Sequence, residues 1–318
     1  MLLIKLQFIQ VSPVHAIALL GLDVEKVFDR IEHKAILEVL SELGLGERLF
    51  SVVKAFLGGR QASLTLGELN SKVMNLGNRG TPQGAVLSPM LFNLAMTRVA
   101  RKLERIEGIH FAIYADDITI WSAKGNVGQT ETRLQESIYT VESTLGEMGL
   151  NYSAAKLELL VLKHRGRGRR PRGYVPGEEP KIILRCHDES AIKQVEKIRV
   201  LGFHIAAGGT NLNAIQHISN KTDQVIRLLR RITNRYRGLG EDSALRLLHA
   251  FALCHFTYVA GLLKWSQAEL NKLNTMIRKL VKATLGIPNS TSNVKLMNLG
   301  VHNTIEEMAE AQQMAQQE

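Results

Sequence analysis

The sequence predicts an α+β fold: an antiparallel sheet covered by helices on one side, followed by an all-helical segment. Three observations carry this reading. The first half alternates strand-like runs with amphipathic helical stretches, including a hairpin-like run at 111–122. Residues 163–180, "KHRGRGRRPRGYVPGEEP", interrupt the pattern with glycine, proline and arginine and no apolar period. From about residue 213 the chain reads as helix after helix. The corresponding divisions are 1–162, a basic loop at 163–180, a short segment at 181–212, and a helical region at 213–318.

Taken in order, "HAIALLGLD" (15–23) reads as a strand running into an acid, and 34–43 as a helix with Leu37, Leu40 and Leu43 in its stripe. "RGTPQGAVLSP" (79–89) is a glycine-punctuated loop entering a long helix. Ser88 and Pro89 suit its N-cap and first turn, and Leu91, Leu94, Ala95, Val99 and Leu103 its buried face. A second amphipathic helix, 129–148, places Leu134, Ile138, Val141, Leu145 and Met148 on one side, with Gly149 as the stop. "AFALCHFTYVAGLL" (250–263) is too short to span a membrane and reads as a buried helix. In 268–286, Leu270, Leu273, Ile277, Leu280 and Val281 form a further stripe.

The net charge of +10 points to a polyanionic partner, nucleic acid before membrane. Cys186 and Cys254 are too few for a disulfide framework or a zinc cluster, so the chain is expected to be intracellular; with no apolar run long enough to span a bilayer, no membrane association is expected. His15, His33, His204 and His255 lie at no metal-ligand spacing and receive no role.

Chemistry is suggested by acids set at strand ends. Asp23 closes one apolar run, and Asp116 and Asp117 sit adjacent in "FAIYADDITIWS". Neighbouring strand residues point to opposite faces, so a tight hairpin at 115–117 is expected to present Asp116, with Asp117 beside it. Such acids, with no His or Cys nearby, suit two hard divalent cations, Mg²⁺ or Mn²⁺; taken alone, the adjacent pair reads as the aspartates of a surface turn. Gly80 and Gly84 let the loop backbone pass close to a ligand, or the loop simply connects strand to helix.

In this order the blocks resemble the palm of reverse transcriptases. "LDVEKVFD" is similar to the first catalytic motif, "GTPQGAVLSPMLFNL" to the second, "YADD" to the third, "GLNYSAAKLELLV" (149–161) to the lysine-bearing fourth, and "RVLGF" (199–203) to the hairpin that grips the primer. The Q-G-x-x-L-S-P loop ahead of YADD points to non-LTR, LINE-type retrotransposons of the jockey or I kind found in arthropods. The resemblance covers roughly 15–205, and the helical tail is similar to a thumb. It implies a polymerase palm and an RNA-directed DNA polymerase that acts on an RNA template, a DNA primer or target DNA, and dNTPs.

It also implies roles. Asp23 and Asp116 hold two Mg²⁺ or Mn²⁺ ions, Val24 offers a backbone carbonyl to one, and Asp117 assists. Phe28 stacks under the deoxyribose and excludes a 2′-hydroxyl, which argues against RNA synthesis. Gln83 contacts the incoming nucleotide, Tyr114 the primer or template, and Lys156 protonates pyrophosphate. Gly202 belongs to the primer grip.

Val27 replaces the family's usual alanine and is expected to crowd the triphosphate. With only 22 residues before Asp23, the resemblance implies that the upstream fingers are missing. The alternative reading is therefore a catalytically inactive, truncated remnant that binds nucleic acid.

Three basic sets are candidates for binding the polyanion. Arg227, Arg230, Arg231, Arg235 and Arg237 lie at helical spacing, with Lys272, Arg278, Lys279 and Lys282 on a following helix; each set is a phosphate-binding face or simply the wet side of a helix. Lys163, Arg165, Arg167, Arg169, Arg170 and Arg172 form a loop that either meets template phosphates or only solubilises.

Overall fold

The computed structural model describes residues 18–122, 125–162, 181–233 and 238–315. The basic loop, Arg235, Arg237 and His15 lie outside the described residues. Two compact units emerge, divided between Leu201 and Gly202.

The first unit is built on strands β1 (Ala18–Glu25), β6 (Ile109–Tyr114), β7 (Asp117–Ser122), β9 (Glu158–Val161) and β10 (Lys193–Val195), in the order β10-β9-β1-β7-β6, with β8 (Asn151–Tyr152) also paired to β1. All ladders are antiparallel except β10 on β9. β1 is central, and its alternation sorts the sheet. Ala18, Leu20, Leu22 and Val24 enter the main core together with Ile118 and Ile120 of β7. Helices α4 (Leu87–Leu103) and α5 (Val127–Glu147) contribute Leu91, Phe92, Ala95, Val99, Leu134, Ile138, Val141 and Leu145 to the same core. The opposite face carries Leu19, Gly21 and Asp23, paired in register with Trp121, Thr119 and Asp117. Strand β11 (Lys197–Val200) crosses that face at Gly21, where a Cβ would lie 2.7 Å from Ile198 Cδ1.

Ahead of the long helices lie the single turn α1 (Val27–Arg30), then α2 (His33–Glu42) and α3 (Glu47–Leu57), and four two-residue strands, β2 (Gln61–Ala62), β3 (Thr65–Leu66), β4 (Leu69–Asn70) and β5 (Met74–Asn75). Neither α3 nor these strands is expected from the sequence. Helix α5 opens on a capping box between Asn126 and Gln129. It closes on a Schellman turn, with Leu150 N–H donating to the Leu145 carbonyl, Gly149 N–H to that of Gly146, and Gly149 at φ 73°. The expected stop at Gly149 is therefore met.

The cap expected at Ser88 is not. Ser88 lies inside the first turn of α4, buried, and its hydroxyl donates 2.7 Å back to the Pro82 carbonyl. It fastens the preceding loop to the helix rather than capping it.

The second unit begins with β12 (Phe203–Ala206) and continues as helices: α6 (Leu212–Ile232), α7 (Glu241–Leu248), a π-helical turn at His249–Leu253, α8 (Cys254–Ala260), α9 (Gln267–Thr284), α10 (Asn293–Asn298) and α11 (Ile305–Ala315). The 250–263 run buries Ala252, Leu253, Phe256, Val259 and Ala260 but leaves Phe251 and Tyr258 exposed, so it is covered on one side only. Among the described residues no helix is long and apolar enough to cross a membrane.

Arg227, Arg230 and Arg231 are exposed on α6. Lys282 departs from the wet face expected of it: it is buried, and its ammonium donates to the carbonyls of Asn289 and Thr291 and to Asn293 Oδ1. All three of its donors are spent on the α9–α10 connection, so Lys282 is a structural staple.

Candidate active site

The site lies at the end of the sheet where β1 leaves it and β6 turns into β7. The register pairs Asp23 with Asp117 and Asp117 with Tyr114. The hairpin loop is thus Ala115–Asp116, and the two adjacent acids are separated by the turn: Asp117 begins a strand, whereas Asp116 belongs to the loop. Ala115 takes φ 50°, a left-handed conformation that such two-residue turns demand at their first position and that glycine would adopt without strain. Val24 N–H donates 3.0 Å to the Asp116 carbonyl, tying the loop to β1. Both hairpin acids are exposed, and so is Tyr114.

Crowding shows in the electrostatics. Partial desolvation against the sheet pushes the Asp117 carboxyl above its ordinary value, and the charges of Asp116 and Asp23 push it further; Arg199 and Lys156 pull the other way. Lys156 makes an ion pair with Asp23 Oδ2, and this hydrogen bond and charge raise the lysine's own pKa. The fourth block delivers the lysine: β8 pairs with the end of β1, Ser153 N–H donates 3.0 Å to the Asp23 carbonyl, and the one-turn helix Ala154–Lys156 follows.

Beyond Asp23 the chain turns sharply at Lys26, a left-handed residue at φ 46°. Val27 is buried in the core, so the crowding of a ligand expected from its extra methyl groups does not arise: the side chain packs among the core residues. Val24 is likewise buried, and only its backbone is available as a ligand. Phe28 is partly buried and rests on Phe92, ring centroids 5.6 Å apart.

The glycine loop is docked on this same segment. Thr81 N–H donates 2.6 Å to the Phe28 carbonyl, Gly80 N–H 2.8 Å to that of Ile31, and Gln83 Nε2 3.0 Å to Asp29 Oδ1. Gly80 is required, since a Cβ there would lie 2.8 Å from the Asp29 carbonyl oxygen and 2.9 Å from that of Phe28. The buried His33 ring lies 2.7 Å from the Gly80 carbonyl through Nε2, and Arg79 bridges Glu32 at 3.0 Å.

The sequence assigns no role to Asp29, Glu32, His33 or Arg79. Only the proximity of the first two blocks in the fold reveals them, and His33, given no role before, is a strut of the loop. Gly202, in the second unit, takes φ 85° immediately before β12, a conformation suited to glycine.

As a donor set for a cation, Asp23, Asp116 and Asp117 offer only hard oxygens, and their mutual repulsion is what a divalent ion relieves. Among the described residues no three such side chains converge into a self-sufficient cage. An ion such as Mg²⁺ takes one or two carboxylates and completes its shell from substrate phosphate and water.

Comparison with known proteins agrees with the motif order. The family model for reverse transcriptase (RNA-dependent DNA polymerase) matches residues 11–205. The Retrovirus-related Pol polyprotein from type-1 retrotransposable element R2 of Nasonia vitripennis is 27% identical over 281 residues, 85% of this chain and 25% of the relative. The RNA-directed DNA polymerase from mobile element jockey of Drosophila funebris is 28% identical over 140 residues, 42% of this chain and 15% of the relative. The chain thus spans a quarter or less of the length of these relatives, which come from insect non-LTR elements as the motif order had suggested. Among solved structures, a telomerase from Candida tropicalis in complex with a fragment of telomeric RNA aligns over 89% of this chain and 39% of its own, at 12% identity and a TM-score of 0.44.

Proposed function

Because the chain belongs to the reverse transcriptase (RNA-dependent DNA polymerase) family, we propose that it is the polymerase portion of a non-LTR retrotransposon protein, extending a primer 3′-hydroxyl with dNTPs on an RNA template. The observation that carries this reading is the placement of Asp23, Asp116 and Asp117 at one end of the sheet, near enough to raise the Asp117 pKa through their charges, set by the β1–β7 register and the Ala115 turn.

In the reaction the primer oxygen bonds to the α-phosphorus of the dNTP, the bond to the β-phosphate oxygen breaks, the hydroxyl proton is lost, and pyrophosphate leaves. Asp23, Asp116 and the Val24 carbonyl would hold two Mg²⁺ or Mn²⁺ ions, with Asp117 assisting. When bound, these supply the charge that makes the hydroxyl more acidic and the leaving group more stable. Phe28, braced by Phe92, faces the sugar and disfavours a 2′-hydroxyl. Gln83 orders the loop against Asp29 and presents its remaining amide atoms to the nucleotide, Tyr114 meets the primer or template beside the turn, and Lys156 gives a proton to pyrophosphate. Arg227, Arg230 and Arg231 neutralise backbone phosphates, and Gly202 serves the primer grip.

The test is dTTP incorporation on poly-rA/oligo-dT with Mg²⁺ or Mn²⁺, beside a chain carrying Asp116→Asn and Asp117→Asn. Incorporation lost in the variant supports the reading. Absence of incorporation by the unaltered chain, with salt-sensitive RNA binding equal in both, would replace it with a nucleic-acid-binding protein whose acids are idle.

A further inference from the structure

Among the described residues neither Asp116 nor Asp117 has a side-chain hydrogen bond or ion pair, whereas Asp23 is already engaged by the Lys156 ammonium. The contact is built in. Ser153 N–H bonds the Asp23 carbonyl, so the helical turn carrying Lys156 starts from the residue whose carboxylate the lysine covers. The two partners differ in freedom: the Asp23 side chain is 23% exposed and held on a central strand, while that of Lys156 is 65% exposed on a flexible stem.

We propose that Lys156 is an internal counter-ion of the site, occupying Asp23 Oδ2 until a divalent cation displaces it, so that one side chain both sets the metal affinity and is released toward the leaving group only when the site is loaded. This rests on the metal-dependent reading given above. The chemistry follows from competition: a carboxylate oxygen covered by an ammonium is not free to ligate a metal. In the ligand-free protein the single positive charge offsets part of the repulsion among three acids. Because the lysine end of the pair is largely in water it holds weakly, so the penalty it sets on metal binding is at most about fivefold. A guanidinium, with its planar fork, would grip the same carboxylate harder.

Mn²⁺ binding to the intact chain, measured without nucleotide or primer by paramagnetic resonance of the free ion and by calorimetry, tests this. Lys156→Ala is expected to bind Mn²⁺ about three- to fivefold more tightly than the unaltered chain, and Lys156→Arg about two- to threefold more weakly. Arg199→Gln removes a nearby positive charge that acts on Asp117 through space, and is expected to change affinity less than twofold. Equal or weaker binding by Lys156→Ala overturns the proposal, as does an Arg199→Gln effect as large as that of Lys156→Ala, which would make the general field the cause. If neither the unaltered chain nor Lys156→Ala binds Mn²⁺ at millimolar concentrations, the metal site itself falls, an outcome distinct from equal binding by both.

Discussion

Asp23 and Asp117 are direct cross-strand partners in the antiparallel register of β1 and β7, so both carboxylates rise from the sheet face opposite the helices. Like charges opposed in this way destabilise a sheet. The fold tolerates them where the chain leaves β1 and enters the hairpin, with Lys156 beside Asp23 as compensation.

That repulsion gives a pH dependence with a definite sign. The folded-state pKa of Asp117 is raised above its ordinary value of 3.8, so over that interval the folded protein holds more proton than the unfolded chain, and stability falls as pH rises through it. Asp117→Asn is expected to raise Tm at neutral pH by about 1–2 °C, with the gain vanishing below roughly pH 4. Thermal melts of both chains across pH 3–8 in chelator check this.

Gly80 and Gly84 both take positive φ, but only Gly80 is closely enclosed by neighbouring backbone. Gly84→Ala is expected to cost about 1 kcal/mol from backbone strain alone. Gly80→Ala must also push apart the loop and the Phe28–Asp29 backbone and is expected to cost about 3 kcal/mol or more. Urea unfolding of the two variants separates strain from collision.

His33→Ala leaves the Gly80 carbonyl without its buried partner and opens a gap behind the loop. A loss of about 1–3 kcal/mol is expected, together with faster proteolytic cleavage near Arg79. Cleavage unchanged from the unaltered chain would show that Thr81, Gln83 and Ser88 hold the loop without the histidine.

Phe28 rests on Phe92 and so has a fixed ring to set against a sugar. In an active chain, Phe28→Ala is expected to raise ribonucleotide incorporation relative to deoxyribonucleotide by about tenfold. Competition between UTP and dTTP on a poly-rA template measures the ratio.

The cations of the helical unit divide into two kinds. Changing Arg227, Arg230 and Arg231 together to Gln is expected to leave Tm unchanged while lowering the slope of log affinity against log salt by about 2–3. Lys282→Met strands three acceptors and is expected to cost about 2–4 kcal/mol with the slope unaltered. Fluorescence anisotropy with a primer–template duplex, paired with urea melts, distinguishes them.

Much of this protein was legible in its sequence because the signals were local. Helix stripes follow from a 3.6-residue period, Gly149 from the need for a left-handed stop, and the hairpin from two acids that one continuous strand could not place. The errors were local readings overruled by distant partners. Ser88 resembles a cap until the Pro82 carbonyl is found beside it, Val27 resembles an obstacle until the turn at Lys26 sends it into the core, and Lys282 resembles a solvated charge until the α9–α10 connection closes over it. By itself the sequence determined the family, the order of motifs and the identity of the acids, since these depend on residue types and their spacing. The tertiary structure alone decided that Asp23 faces Asp117, that Lys156 reaches Asp23 across 133 residues, and that His33 holds Gly80 across 47. Strand register and loop docking are set by which buried surfaces fit one another, and no local pattern encodes that.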